Sequence, residues 1–501
     1  MEKVEIIKAI EYLRKYKTET DRIEAKTASS GFPKKCYDTF SSFSNKYGGI
    51  IIFGINEENN FSTENVYDVK DLQQQISNLC TDSMEPAIRP EILPLEFEKK
   101  NIVAVKIEEI SQNRKPCYYK PKGIKSGSYT RVGDKDDNMT DYELYAIQSY
   151  KEHVFEDTRP TKRATVDDLN KEQLNSYIDK VKNDKPNFSK NDFNKCLRLC
   201  GITDKNDQTV YPTLAGTMIF GDYPQSFYPQ LFVACVVVPG NKLGDIGTMG
   251  ERFIDNKRVE GTLEEMLNGT MNFLRRNMKT SVIIDSNGKR NDRTEYPLEA
   301  LREAVANALI HRDYSTQTEN AYISVNMYDD RIEILNPGTL YGTNKIEKLG
   351  TATTMESRNP TLVRILEEKG SVIENRHSGI PTMIREMKKY GLPAPEFYEE
   401  RDSFKVIFRN KNVVHNKVNS GQQGGQQGGQ QTTIENNKFK ILEYCTEAKT
   451  AKEIREYLNI KSRQYVSTYL INPLINDGKL DYTNKKSINA KNQKYITLRK
   501  N

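Results

Sequence analysis

Glu303, Asn307 and His311 stand four residues apart in Leu301-Arg-Glu-Ala-Val-Ala-Asn-Ala-Leu-Ile-His-Arg-Asp-Tyr314. A helix begun after Pro297 would therefore carry a carboxylate, an amide and an imidazole on one face, with alanines on the other. An Asn four residues after a Glu can hold magnesium through its amide oxygen while the Glu orients or deprotonates a water beside a terminal phosphate. Arg312 and Asp313 follow directly, and the next strand ends in Asn336-Pro337-Gly338. Asn336 offers a carbonyl oxygen to an exocyclic amine, and Gly338 lets the backbone approach a ring. Further on, Arg376-His-Ser-Gly379-Ile-Pro381 precedes an amphipathic helix ending near Tyr390-Gly391, whose free amides and positive dipole end suit a phosphate. Together these residues describe a nucleotide pocket. The plainer alternative is that Glu303, Asn307 and Asp313 cap and cross-link a helix pair.

A second chemical cluster lies near the amino terminus. Glu19, Glu24 and Lys26 sit at an early strand, followed by a helix and by the strand Gly48-Gly-Ile-Ile-Ile-Phe-Gly54, after which Glu57 appears. Downstream, Lys115, Tyr118, Lys120, Lys122 and Arg131 interleave cations with aromatic faces, a mixture that can clamp phosphates and stack bases. Snorkelling lysines on a β-hairpin would give the same spacing.

Positioning these groups takes more than one core, because 501 residues exceed what a single hydrophobic core supports. The clearest boundary is Gly421-Gln-Gln-Gly-Gly-Gln-Gln-Gly-Gly-Gln-Gln431, a repeat with nothing to bury; with its flanks it would span roughly 25–30 Å as a tether. A weaker boundary lies at Asp157-Thr-Arg-Pro-Thr-Lys-Arg163. The expected domains are 1–155, a helical connector plus α/β body over 156–410, a linker over 411–436, and a last domain over 437–501. Charge is uneven: the net +6 comes from the tail, where Thr432 to Asn501 hold fourteen Lys or Arg against seven Asp or Glu.

The tail reads as a helix-turn-helix. A helix follows Lys438, a second starts at Thr450 with Glu453 completing a capping box, and a third starts near Lys461. It resembles a winged helix, which places Arg463, Gln464, Ser467 and Thr468 toward DNA bases or phosphates and Lys485 and Lys486 at a wing tip.

Seven scattered cysteines without Cys-x-x-Cys spacing exclude a disulfide framework or zinc site, and the charged amino terminus has no signal-peptide pattern. The longest apolar run, Leu231 to Val238, is a buried strand and too short for a membrane span. A cytoplasmic protein with a homo-oligomer as one assembly state fits.

Two family resemblances sharpen these readings. Residues 5 to 150, with the Glu19–Lys26 strand, the Gly-Gly strand and Tyr129-Thr-Arg-Val-Gly133, resemble the Schlafen-type AlbA domain. In members that cut RNA, two glutamates five residues apart and an acid after the Gly-Gly strand bind a divalent metal. The resemblance assigns those roles to Glu19, Glu24 and Glu57, with Glu57 replacing the usual Asp, and magnesium or manganese suits such hard ligands. Lys26 would hold the scissile phosphate. The LREAVANALIHRDY…DDRIEILNPG pattern resembles the divergent GHKL-like ATP-binding domain of proteins often labelled RecG-related. That implies ATP with magnesium at Asn307, although the usual Asp-x-Gly-x-Gly is replaced by Asn336-Pro-Gly338 and only Gly379 remains of a later Gly-x-Gly. A helicase motor would need a G-x-x-x-x-G-K-[ST] loop, which the sequence lacks.

The expected architecture is thus a multidomain α/β and α+β chain: an AlbA/Schlafen-like domain, a GHKL-like sandwich and a winged helix. Two functions satisfy it. One is a metal-dependent endoribonuclease acting on structured RNA or tRNA under nucleotide control, with weak or no ATPase activity. The other is a non-catalytic, ATP-responsive DNA-binding transcriptional regulator. They differ in whether Glu57 converges with Glu19 and Glu24.

Overall fold

The computed structural model describes residues 1–206, 209–284, 290–351, 355–370, 372, 379–410, 441–442, 444–458, 470–471, 474–475, 479–483 and 493–497. The chain divides into two compact units, Met1–Asn412 and Val413–Asn501.

The first sheet is built around Gly49–Phe53. This strand pairs in parallel with Ile23–Lys26 and antiparallel with Lys100–Ile107, which carries Glu91–Phe97 at the far edge. Successive side chains point to opposite faces, and both faces are covered, so the strand is apolar throughout. Ile50 and Ile52 pack with Ile6, Ile10 and Leu13 of the helix Lys3–Tyr16. Ile51 and Phe53 pack with Phe40 and Phe43 of the helix Cys36–Asn45 and with Leu72 and Ile76 of Val69–Asn78. The Gly-Gly lead has a steric cause. Gly48 has φ +67° and would set a Cβ 2.7 Å from the Ile107 carbonyl oxygen, while a Cβ at Gly49 would strike the Phe43 ring at 2.5 Å.

A capping box of Thr140 and Glu143 starts the helix Asp141–Lys151, which leads out of this sheet. Beyond it, one large core joins the helices Lys171–Asp184, Phe193–Leu199 and Leu214–Phe220 to a six-stranded sheet and its helices. The strand order is Asp255–Val259, Val233–Val237, Ile323–Met327, Arg331–Pro337, Ser403–Arg409, Glu396–Glu399. Only Val233–Val237 and Ile323–Met327 run parallel. Helices Leu263–Asn277, Leu298–His311 and Gly379–Lys389 share the core with the sheet's buried residues. Buried Asp157 accepts the backbone N–H groups of Thr361 (2.8 Å) and Leu362 (2.9 Å), satisfying the first turn of the helix Pro360–Lys369. Burial raises its carboxyl to about 6.

In the second unit, Thr450 and Glu453 form the expected capping box at the helix Ala451–Tyr457. Lys449–Thr450, Lys494–Thr497 and Leu480–Tyr482 make a three-stranded antiparallel sheet over a small core that includes Ile441, Cys445, Ile454 and Leu474. The expected third helix and wing tip, with Arg463, Gln464, Ser467, Thr468, Lys485 and Lys486, lie outside the described residues.

All seven cysteines are free and buried. Among the described residues no helix is long and apolar enough to cross a membrane.

Candidate functional site

The acidic strand folds its charges inward. Glu24 is 3 % exposed, Glu19 9 % and Arg131 1 %. The Arg131 guanidinium donates to Glu24 (2.6 Å), to Asp136 (2.9 Å) and to the Thr20 carbonyl (2.9 Å), and lies 3.8 Å from Glu19. Lys26 forms an ion pair with Glu24. Asp136 also accepts from Ser42 and from Thr39 (2.7 Å), which stand on the helix Cys36–Asn45. Burial pushes the Glu19 carboxyl up to about 9, with further help from its hydrogen bond to Glu24 and from that neighbour's charge. Burial also opposes ionisation of Glu24, yet the hydrogen bond from Glu19 and the charges of Lys26 and Arg131 hold it below the usual carboxylate range. The opposite directions of the two shifts amount to one proton shared by the pair and lying toward Glu19. Two cations, Arg131 and Lys26, face the three acids Glu19, Glu24 and Asp136.

This arrangement departs from the metal-site expectation. Glu57 is exposed in the turn after Ile55–Asn56. Among the described residues no group of three or more His, Cys, Asp or Glu is placed to hold a metal ion. The residues present do not fit the implied metal: a divalent cation needs ionised carboxylates in excess, whereas here Arg131 and Lys26 already satisfy them. Lys26 likewise serves Glu24. Asp136 was not foreseen, although it is the cross-strand partner of Arg131 in the hairpin Tyr129–Val132/Lys135–Asn138, so the Gly133-Asp134 turn signal could have found it.

Glu19→Gln tests the protonation state. The amide keeps an acceptor for the Ala25 N–H, 2.8 Å from Glu19 Oε1, and a donor toward Glu24. A folded carboxyl raised to about 9 means that the unfolded chain releases the proton first, so the wild type loses stability as pH climbs from the ordinary carboxylate range toward 9. The variant lacks that loss. Urea midpoints at pH 5 and 8.5 should fall less in Glu19→Gln than in the wild type; an equal or steeper fall would refute the shared proton.

The basic stretch divides into inside and outside. Lys115 is buried and donates to Glu109 (2.8 Å), which also binds Lys345, so it is a structural cation rather than a free phosphate contact. Arg131 is equally committed. Lys122 is exposed, 4.8 Å from the Tyr37 ring centroid and 5.7 Å from that of Tyr129, and donates to the Tyr129 hydroxyl at 3.0 Å. Tyr37 stacks on Tyr119 with centroids 4.2 Å apart and planes 9° from parallel. Lys34 and Lys35 are exposed just before Tyr37, and Lys120 is exposed beside Glu85 (3.5 Å). Tyr118 is half-buried and backbone-paired with Glu85. The aromatic and cationic face thus centres on Tyr37, Tyr119 and Lys122. Tyr119 lies in the stretch of interleaved cations and rings, whereas Tyr37 lacked a sequence signal of its own, because the fold alone brings its helix to the strand Tyr118–Tyr119.

In the middle region the helix Leu298–His311 forms as expected, with Glu303 and Asn307 half-buried on one face. Gly379 closes onto that face: an added Cβ would collide with Glu303 Oε1 and lie 3.0 Å from Asn307 Nδ2. His311 is exposed at the helix end. Arg312 is buried and donates to the Thr318 (2.9 Å) and Ala321 (2.8 Å) carbonyls, which pins the following loop, while its Nε and Nη1 have no hydrogen-bond partner among the described residues. Asp313 is also a structural residue. It binds Arg358 (2.6 Å) and accepts from the Tyr142 hydroxyl (2.7 Å), while its N–H donates to the Pro337 carbonyl. Gly338, at φ +106°, would place a Cβ 2.5 Å from Asp313 Cβ. On the strand Arg331–Pro337, Ile332, Ile334 and Asn336 form the buried row. Asn336 is 7 % exposed, and its Oδ1 has no hydrogen-bond partner. A buried unmatched carbonyl oxygen is costly unless something supplies a donor. Glu303, Asn307 and Gly379 are thus brought together, and the Asn336 acceptor is left without a donor among the described residues. Arg376, His377 and Ser378 lie outside the described residues.

Comparison with known proteins follows the same division. Residues 19–140 match the Schlafen AlbA_2 family. Residues 320–408 match HATPase_c_4, the carboxy-terminal domain of proteins described as RecG-type ATP-dependent DNA helicases. Residues 146–234 match a domain of unknown function, DUF8451. No curated protein matches. Among solved structures, a Corynebacterium diphtheriae protein aligns over 93 % of this chain and 92 % of its own at 16 % identity and TM-score 0.38. The amino-terminal domain of a RecG-related protein from Nitrosomonas europaea aligns over 26 % of this chain and 92 % of its own at 26 % identity and TM-score 0.22. The chain is therefore a mixed α/β multidomain protein that joins a Schlafen AlbA_2 domain to a HATPase-like domain of the RecG carboxy-terminal type.

Proposed function

We propose that this is a nucleic-acid-binding regulator that responds to a nucleotide and does not cut its ligand. The observation that carries the reading is the compensated acid cluster: Glu24 is paired with Lys26 and Arg131, and Asp136 with Arg131. Carboxylates already engaged by the protein's own cations are poorly placed to hold the metal that phosphodiester hydrolysis requires. Nucleic acid is met instead by the face of Tyr37, Tyr119 and Lys122, where rings stack on bases and ammonium groups donate to phosphates. ATP occupies the middle domain, with Asn336 accepting from the adenine amino group and Glu303 and Asn307 serving magnesium. The tail acts as a winged helix on DNA through Arg463, Gln464, Ser467, Thr468, Lys485 and Lys486. The AlbA and HATPase family matches support a nucleic-acid-related, ATP-linked role.

The full-length chain, given labelled structured RNA or duplex DNA with magnesium or manganese, should bind without cleaving. Lys122→Glu should weaken RNA binding about ten-fold or more, as expected when one stacked, charge-assisted interaction is removed. In the same preparations calorimetry should register ATP, and Asn336→Leu, which leaves no acceptor, should abolish that heat while leaving the fold intact. Metal-dependent cleavage that disappears in both Glu19→Gln and Glu24→Gln would instead establish the endoribonuclease.

A further inference from the structure

A separate cationic groove lies in the middle region, in the segment that matches the domain of unknown function. The helix Lys171–Asp184 is followed by the short helix Phe193–Leu199 and then by an antiparallel hairpin, Thr203–Asn206 with Thr209–Pro212. Cys196, Leu197, Cys200 and Ile202 are buried in the large core, which fixes the short helix and its exit. Asp192 caps that helix by accepting the Lys195 N–H at 2.9 Å. With the apolar side committed inward, Lys195 and Arg198 are left exposed on the helix, and Lys205 is exposed on the hairpin opposite. Between helix and hairpin is a cavity of ≈ 260 Å³, with Val166, Leu197 and Val210 among its lining and these three cations around it.

These cations differ from the paired ones of this unit. Lys26, Lys115, Lys125, Lys345 and Arg358 each have a carboxylate partner. Lys195, Arg198 and Lys205 have no ion pair among the described residues. The acid that lines the groove, Asp204, accepts the Lys205 backbone N–H at 2.8 Å. Three unmatched positive charges on two facing elements cost nothing in water but gain when a polyanion releases its counterions onto them.

We infer that this groove holds a phosphodiester backbone, with phosphates meeting Lys195 and Arg198 on one wall and Lys205 on the other. A nucleic-acid strand runs past both, and its sugar edges cover the exposed apolar side chain of Val210. The site is independent of the Tyr37–Tyr119–Lys122 face, so the two can fail separately.

The test compares the full-length wild type with a Lys195→Ala/Arg198→Ala/Lys205→Ala variant, using duplex DNA and double-stranded RNA across a salt series. All three positions are exposed, and an unchanged thermal midpoint confirms that the variant folds. The slope of log binding constant against log salt should become shallower by about 2–3, near 0.9 for each phosphate that is no longer neutralised. The nucleic acid showing the larger change is the source. Lys122→Glu serves as the control. If Lys122→Glu weakens binding while the triple variant leaves affinity and slope unchanged with both nucleic acids, this inference fails and the proposed function stands. If the triple variant changes the slope and Lys122→Glu does nothing, the AlbA face is refuted and the groove is upheld. Polyglutamate bound more tightly than either nucleic acid, and released by the triple variant, would reassign the groove to an acidic protein and overturn the inference.

Discussion

Arg131→Met should destabilise the protein by about 3–5 kcal/mol, the usual cost of removing one partner from a buried ion pair. The side chain has no solvent exposure, and its guanidinium donates to Glu24, Asp136 and the Thr20 carbonyl while lying 5.2 Å from the Phe43 ring centroid. Methionine restores the volume but not the charge. Glu24 would keep Lys26, whereas Asp136 would be left to Thr39 and Ser42. A second substitution separates missing charge from missing packing: Asp136→Asn in the Arg131→Met background should recover part of the loss, because one orphaned carboxylate is removed. Urea unfolding read by far-UV dichroism suits this chain, which has no Trp to report by fluorescence. A loss below about 1 kcal/mol, against the range for a buried pair, would mean that the cluster is not held by Arg131, and the compensated-charge argument against the metal would fall with it.

Arg358→Ala should have a comparable effect, about 3–5 kcal/mol, for the same reason. Asp313 is 3 % exposed at its side chain and Arg358 11 %. Among the described residues, removing the guanidinium leaves the carboxylate with the Tyr142 hydroxyl and the Ser315 N–H. Arg358 also donates to the Thr339 carbonyl at 2.9 Å, so the segment just past Gly338 loses its anchor as well. Tyr142→Phe supplies the scale: deleting one hydrogen bond to the same carboxylate should cost about 1.5–3 kcal/mol, less than losing the cation. The damage should be concentrated around Asn336 and Gly338, because the Asp313 N–H donates to the Pro337 carbonyl between them. Hydrogen exchange would register it as faster exchange in the strand Arg331–Pro337. A smaller loss in Arg358→Ala than in Tyr142→Phe would show that the ion pair is not what holds Asp313.

What the sequence determined by itself was whatever depends on local spacing. The i, i+4 interval put Glu303 and Asn307 on one helical face, the Gly-Gly lead fixed where the central amino-terminal strand begins, and the Thr450 and Glu453 pair marked a helix start. These features are set by helix pitch, strand pleat and capping hydrogen bonds, which act over a few residues. Tertiary structure decided which charges face water. Lys115, Lys122 and Arg131 occur within seventeen residues of one another and look alike in sequence, yet Lys115 and Arg131 are buried against Glu109 and Glu24 while Lys122 lies exposed beside two rings. It also decided which acids meet. Glu19 and Glu24 were paired by their spacing, but Asp136 joined them through a hairpin more than a hundred residues away and Glu57 remained in solvent. Burial then set the protonation of Glu19, since the cost of a charge depends on the dielectric and the partners around it, and neither is encoded in the order of neighbouring residues.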